Sequence, residues 1–174
     1  MTGPQPLSLR DWLDALVAAT EEVAVCALGL DGVKVLELRD QPPVGLAGSY
    51  LAVLSDQASV HVALVARIED CQTLGKTLLA LGPEDPPLAP ADLADAFGEI
   101  VNILAGSLKS KLADRDATMR LGLPIFINGH ITPSPGLSTA TARLKLGSIE
   151  AEAMILRTSD RRARKAGEFL AVPG

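Results

Sequence analysis

TATARLKLGSIEAEAMILR, running from Thr139 to Arg157, is the stretch on which the architecture turns. From Thr139 to Leu146 polar and apolar side chains alternate, as in a strand with one buried face, and Ile149 to Arg157 resumes after Gly147-Ser148, a pair suited to a two-residue hairpin turn. Counting back from that turn pairs Leu146 with Ile149, Lys145 with Glu150, Leu144 with Ala151 and Arg143 with Glu152. Opposite charges then meet on one face while Leu144, Leu146, Ile149 and Ala151 share the other. The sheet is therefore expected to be antiparallel.

Working outward, Leu121 to Ile127 reads as a strand bounded by Asn128-Gly129, separated from the hairpin by a Thr132 to Gly136 loop. Before it lies the longest helix. Pro90 suits the first helical position, Asp92 and Asp95 fall in the opening turns, and Lys109, Lys111 and Arg115 fall towards an end expected near Asp116. The proline-rich connector Pro83 to Pro90 joins it to a shorter helix. That helix opens at Glu69 and Asp70, carries Leu74, Leu78 and Leu81 on one stripe, and is expected to stop at Gly82. Upstream, Val33 to Leu38, Tyr50 to Leu54 and Val60 to Ile68 read as strands. A first helix from Leu9 to Ala27 opens on Ser8 and Asp11, spaced as a capping box, and closes at Gly29. The order of elements implies two related α-β-β-β halves, starting at Leu9 and Ala91, with an extra helix between them. The expected fold class is α+β, a two-layer antiparallel β-sheet with long helices. Residues 1–8 form an N-terminal extension, 9–157 a single domain and 158–174 a basic C-terminal tail.

Composition bounds the function. The chain has 174 residues and is 48% hydrophobic with only three Phe, one Trp and one Tyr, so its core is built from Leu, Val, Ile and Ala, with Trp12 a core residue of the first helix. Collagen-like, disordered and disulfide-scaffold classes are excluded. Cys26 and Cys71 are 45 positions apart, outside any CxxC or Cys/His cluster, and read as buried thiols of a reducing compartment rather than metal ligands. Mean hydropathy is +0.26, yet the apolar stretches are broken at Glu21-Glu22 and at Ser55 to Gln57, short of the roughly 18 residues of a membrane span. With no leader pattern, a cytoplasmic location is expected. The net charge of −5 is uneven: residues 1–156 carry 11 basic and 19 acidic residues, 157–174 five and two. An acidic body lacks the footprint of a nucleic-acid binder, and the tail reads as a solubilising segment rather than a nucleic-acid or membrane arm.

Chemistry concentrates on the longest helix. Leu93, Phe97, Ile100, Val101, Leu104, Leu108 and Leu112 fall on one arc at about 100° per residue. Asp95, Glu99, Asn102, Gly106 and Lys109 recur at spacings of four, three, four and three on the other side. Glycine inside a helix costs about 1 kcal/mol against alanine, so Gly106 beside Glu99 and Asn102 reads either as an incidental residue of a solvated face or as a bare patch that another surface approaches. Gly75-Lys76-Thr77 resembles the end of a P-loop, but Asp70 stands where its first glycine belongs. His61 and His130 have no carboxylate or serine at a diagnostic spacing, and neither GxSxG nor HExxH occurs. No cofactor or metal of the chain's own is expected.

Gly98-Glu99-Ile-Val-Asn102-Ile-Leu-Ala-Gly106, with Lys109 and Leu112 beyond, resembles the ExxN helix of the CheC/CheX/FliY family of chemotaxis phosphatases. The context agrees from Leu9 to Arg157, including the Leu-Gly-Leu-Pro124 strand that ends in Asn128-Gly129. The resemblance implies a CheC-like fold and hydrolysis of the aspartyl-phosphate on a CheY-like response regulator in chemotaxis or two-component signalling. It implies that Glu99 anchors the partner through a lysine of its phosphorylation site and that Asn102 orients a water. Asp95, Ile103, Gly106 and Lys109 would shape the docking surface, and Mg²⁺ would sit in the regulator's own pocket. Val25 stands where two-site relatives carry a second asparagine, so the chain resembles the single-site CheX branch, whose members can form homodimers. A second class of function uses the same helix without catalysis, as a binding module for a regulator or a flagellar-switch protein.

Overall fold

The computed structural model describes residues 5–158, and these form α1 (Leu9–Cys26), β1 (Val33–Arg39), β2 (Ala47–Leu54), β3 (Ser59–Ala66), α2 (Ile68–Leu78), α3 (Pro90–Leu112), β4 (Arg120–Leu121), β5 (Ile125–Asn128), β6 (Leu137–Leu146) and β7 (Ile149–Thr158). All strand pairings are antiparallel, in the order β1-β6-β7-β3-β2-β4, with β5 also on β2. The hairpin has the expected register, from Leu146 opposite Ile149 to Arg143 opposite Glu152. Gly147 turns it at φ 59°, a left-handed conformation that glycine adopts without strain. The charges couple diagonally: Arg143 bonds Glu150 at 2.6 Å, and Glu152 is taken by Arg39 from β1.

The two halves are related by topology. Exchanging β1 with the β4/β5 pair, β2 with β6 and β3 with β7 reverses the strand order and leaves it unchanged. A pseudo-two-fold therefore passes between β3 and β7. It also relates α1 to α3, which lie against each other on the sheet. The helix α2 has no counterpart among the described residues.

One sheet face meets the helices. Leu51, Val62, Leu64, Leu144 and Ile155 pack there against Leu16 of α1 and Phe97, Ile100 and Leu104 of α3, all buried. The other face carries a smaller cluster of Ala63, Val65, Met154 and Leu156. Capping is as expected for α1: Ser8 Oγ accepts from Asp11 N–H at 3.1 Å and Asp11 Oδ2 accepts from Ser8 N–H at 2.7 Å. Leu7, placed in the extension, is buried, and its carbonyl accepts from Arg157 at 2.8 Å. The basic tail from Ser159 onward lies outside the described residues.

Several boundaries differ from expectation, and four of the differences have a clear local reason. The third strand ends at Ala66, not Ile68, because Arg67 caps α2 and Ile68 opens it. The helix α2 ends at Leu78, short of Leu81 and Gly82, where the chain turns through Ala80 at φ 55°. The helix α3 ends at Leu112 because buried Asp116 organises a polar turn, accepting from Thr118 N–H at 3.0 Å and its hydroxyl at 2.6 Å. The strand expected over Leu121 to Ile127 is broken into β4 and β5 at Leu123-Pro124, where proline offers no N–H to the ladder. Cys71 is buried as expected, but Cys26 is exposed, since the last turn of α1 faces inward through Val23 and Ala24.

Candidate functional site

The site is held by what lies beneath α3. Phe97 is fully buried and meets Phe126 of β5 edge-on, with ring centroids 5.9 Å apart at 76°. Such a pair contributes about 0.5–1.5 kcal/mol beyond its area, and it fixes the rotation of α3 over the sheet edge. Gly98 allows the close approach: a Cβ there would meet Pro124 Cγ at 3.3 Å. The glycine before Glu99 and the proline that breaks the strand are thus one contact. On the flank, Gly75 of α2 sits where a Cβ would lie 3.0 Å from Leu88 and 3.4 Å from Leu93. Because Gly75-Lys76-Thr77 lies inside α2, it forms no phosphate loop.

With the core face fixed, the second stripe points outward. Asp95, Glu99, Asn102 and Lys109 are exposed, Ile103 is 37% exposed and Gly106 half-buried. Asn102 Nδ2 donates to Glu99 Oε2 at 3.5 Å, the outer limit of a hydrogen bond. That contact sets the two side chains one helical turn apart on a single face and leaves the Asn102 Oδ1 atom turned away from the carboxylate. Among the described residues, apart from the adjoining backbone of α3, nothing lies within 4 Å of a Cβ built on Gly106, so none of them accounts for glycine there. Lys109 is seven residues beyond Asn102, about 10 Å along the axis, so the stripe is acidic at its Asp92 end and basic at the other.

The related place on α1 is built differently. Glu22 accepts from Ser107 Oγ at 2.9 Å and Lys111 Nζ at 2.6 Å, both on α3. The Lys111 hydrogen bond, then that from Ser107, holds its carboxyl below the usual range. Val25, one turn on, is 48% exposed and has no amide to offer. Gly29, which follows Glu22 by seven residues as Gly106 follows Glu99, lies beyond the end of α1 at φ 62° rather than inside a helix.

Sequence reasoning missed two features. Ser107 and Lys111 as partners of Glu22 are separated from it by more than eighty residues and carry no local signal. The second is a groove between α2 and the start of α3, lined by Leu78, Leu79, Leu88, Asp92, Asp95, Ala96 and Glu99. Leu88 in the connector was its only trace. Among the described residues no group of three or more His, Cys, Asp or Glu could hold a metal ion, and no helix is long and apolar enough to cross a membrane.

The fold that carries this helix, a palindromic antiparallel sheet beneath α3, is matched by known proteins. The family model described as "Chemotaxis phosphatase CheX" matches residues 50–135, which contain α2, α3 and the broken strand. Over that stretch, just under half of its length, the chain is similar to the CheX branch of the CheC/CheX/FliY family. Among solved structures, the CheX-like chain is similar to chemotaxis protein CheX from Desulfovibrio desulfuricans, at 16% identity and TM-score 0.70, covering 84% of this chain and 99% of that one. It is similar to CheX from Vibrio vulnificus, at 16% identity and TM-score 0.69, covering 83% and 97%. A CheX-CheY-BeF3-Mg²⁺ complex from Borrelia burgdorferi matches at 13% identity and TM-score 0.68, covering 86% and 99%. At these identities the likeness establishes the CheC-like fold. No curated protein matches the chain.

Proposed function

We propose that this CheX-like chain hydrolyses the aspartyl-phosphate of a CheY-like response regulator, with Glu99 and Asn102 as the working residues. The observation that carries this reading is the pairing of the two: one turn apart, exposed together on the outer face of α3, and joined through Asn102 Nδ2. The complex of a CheX with CheY in a fold of this kind supports the choice of partner.

The chemistry asks for little beyond this. Water attacks phosphorus in line, its O–P bond forming as the bond to the aspartyl oxygen breaks, and the products are a free aspartate and inorganic phosphate. A loose transition state for phosphoryl transfer is served mainly by positioning and by charge stabilisation. Asn102 supplies positioning, because an amide carbonyl accepts a hydrogen bond from the water while its NH₂ is held elsewhere. Glu99 supplies anchorage by pairing with a lysine of the partner, an interaction that strengthens when docking excludes water. Mg²⁺ belongs to the regulator's acidic pocket. Gly106 lets the partner's backbone approach the helix, and Ile103 and Lys109 extend the contact.

The test follows phosphate loss from a phosphorylated CheY-like regulator with Mg²⁺. Wild type accelerates the loss, Asn102→Ala does not while still binding, and Glu99→Ala weakens binding. Equal decay with wild type and Asn102→Ala contradicts the reading.

A further inference from the structure

The helix α2 stops one turn earlier than its leucine spacing allows, and the way it stops shapes the surface beside Glu99. Leu81 N–H donates to Lys76 O at 2.9 Å and Ala80 N–H to Thr77 O at 3.1 Å, which is the Schellman pattern. Its left-handed position is filled by Ala80 at φ 55°, the one non-glycine with positive φ among the described residues. The turn leaves Leu79 48% and Leu81 40% exposed. Between Leu78-Leu79 and α3 runs a groove of about 440 Å³, with Leu88 and Ala96 in its floor and Leu79, Asp92, Asp95 and Glu99 along its rim. Among the described residues none of the three carboxylates is in an ion pair. They follow one another on one side of α3 at spacings of three and four, where like charges repel until a cation comes between them.

We propose that this groove is the second half of the docking surface, and that it takes from the regulator an apolar side chain flanked by lysine or arginine. The inference rests on the phosphatase reading, since Glu99 is shared by the two halves. Charge selects the occupant. A row of three carboxylates repels nucleic acid and anionic lipid alike. A second copy docked through the same groove would set Asp92, Asp95 and Glu99 against their own copies. The chain's basic tail leaves β7 at Thr158, which shares a cavity with Asp116 beyond the opposite end of α3. A basic and apolar surface of the protein that Glu99 engages satisfies both the floor and the rim.

The test measures Kd of the full chain for a CheY-like regulator loaded with BeF3 and Mg²⁺, at low and high salt, for Leu79→Asp, for the double variant Asp92→Asn/Asp95→Asn, and for Glu99→Ala and Asn102→Ala. Thermal unfolding of each confirms the fold. The double variant is expected to raise Kd roughly tenfold at low salt and far less at high salt. Leu79→Asp is expected to raise it roughly tenfold at both, and Asn102→Ala to bind as wild type. Groove variants that bind like wild type while Glu99→Ala does not would overturn the groove and leave the phosphatase reading standing. A wild type that binds no regulator would overturn both. A wild-type dimer made monomeric by Leu79→Asp would assign the groove to a second copy instead. Tighter regulator binding after deletion of residues 159–174 would assign it to the tail.

Discussion

Glu22 and Lys111 join α1 to α3 at 2.6 Å, so the carboxylate that corresponds to Glu99 across the pseudo-two-fold is already spent within the chain. Two changes separate this place from the Glu99 site: the carboxylate is occupied, and Val25 replaces the amide. Restoring the amide alone should therefore not restore a site. In the double variant Val25→Asn/Asn102→Ala, phosphate loss from the regulator is expected to stay at the level of Asn102→Ala. Activity regained there would show that Glu22 is free to engage a partner.

Gly106 is expected to separate stability from docking. Among the described residues, no atom outside the adjoining backbone of α3 stands near its missing Cβ, so Gly106→Ala should stabilise the fold by about 0.5–1 kcal/mol through helix propensity alone, read as a higher denaturant midpoint. The same methyl group should weaken regulator binding. Stabilisation without any loss of affinity would mark Gly106 as incidental.

Much of this was legible in the chain, and the exceptions have physical causes. The hairpin register followed from a two-residue turn and strict alternation, which leave no other pairing that buries Leu144, Leu146, Ile149 and Ala151 together. The polar stripe followed from helical spacing once Phe97 and Leu104 had claimed the opposite arc. The break at Pro124 and the groove beside Leu79 were hidden because both are contacts between distant segments. Gly98 and Pro124 explain each other only after α3 has been laid across β2 and β5. The end of α2 was misplaced because alanine, rather than the usual glycine, occupies the left-handed turn.

The two thiols should differ sharply in reactivity. Burial pushes the Cys71 thiol up to about 12, and its Sγ lies 3.4 Å from the Ala47 carbonyl it donates to. Cys26 is exposed. A thiol-exchange reagent at neutral pH should titrate one cysteine in the native protein and two after denaturation. Rapid reaction of both under native conditions would contradict the packing of α2 on the sheet.

Asp11 ties the start of α1 to the acid limb of stability. Hydrogen bonds from Ser8, then from Arg115, hold its carboxyl at about 2 against an ordinary 3.8. A folded pKa below the unfolded one adds stability that is present above the unfolded value and lost as pH falls through the folded one. Asp11→Asn should thus flatten the fall in stability between about pH 4 and pH 2 in denaturant unfolding. An unchanged acid limb would place the contribution elsewhere.

The central claim is that Asn102 positions the attacking water. Its most direct test is the rate of phosphate loss from a saturating excess of chain bound to phosphorylated CheY-like regulator with Mg²⁺, wild type against Asn102→Ala. The predicted result is a fall of about a hundredfold at unchanged affinity. Equal rates for the two proteins, with both bound to the regulator, would contradict the account and leave α3 as a binding surface alone.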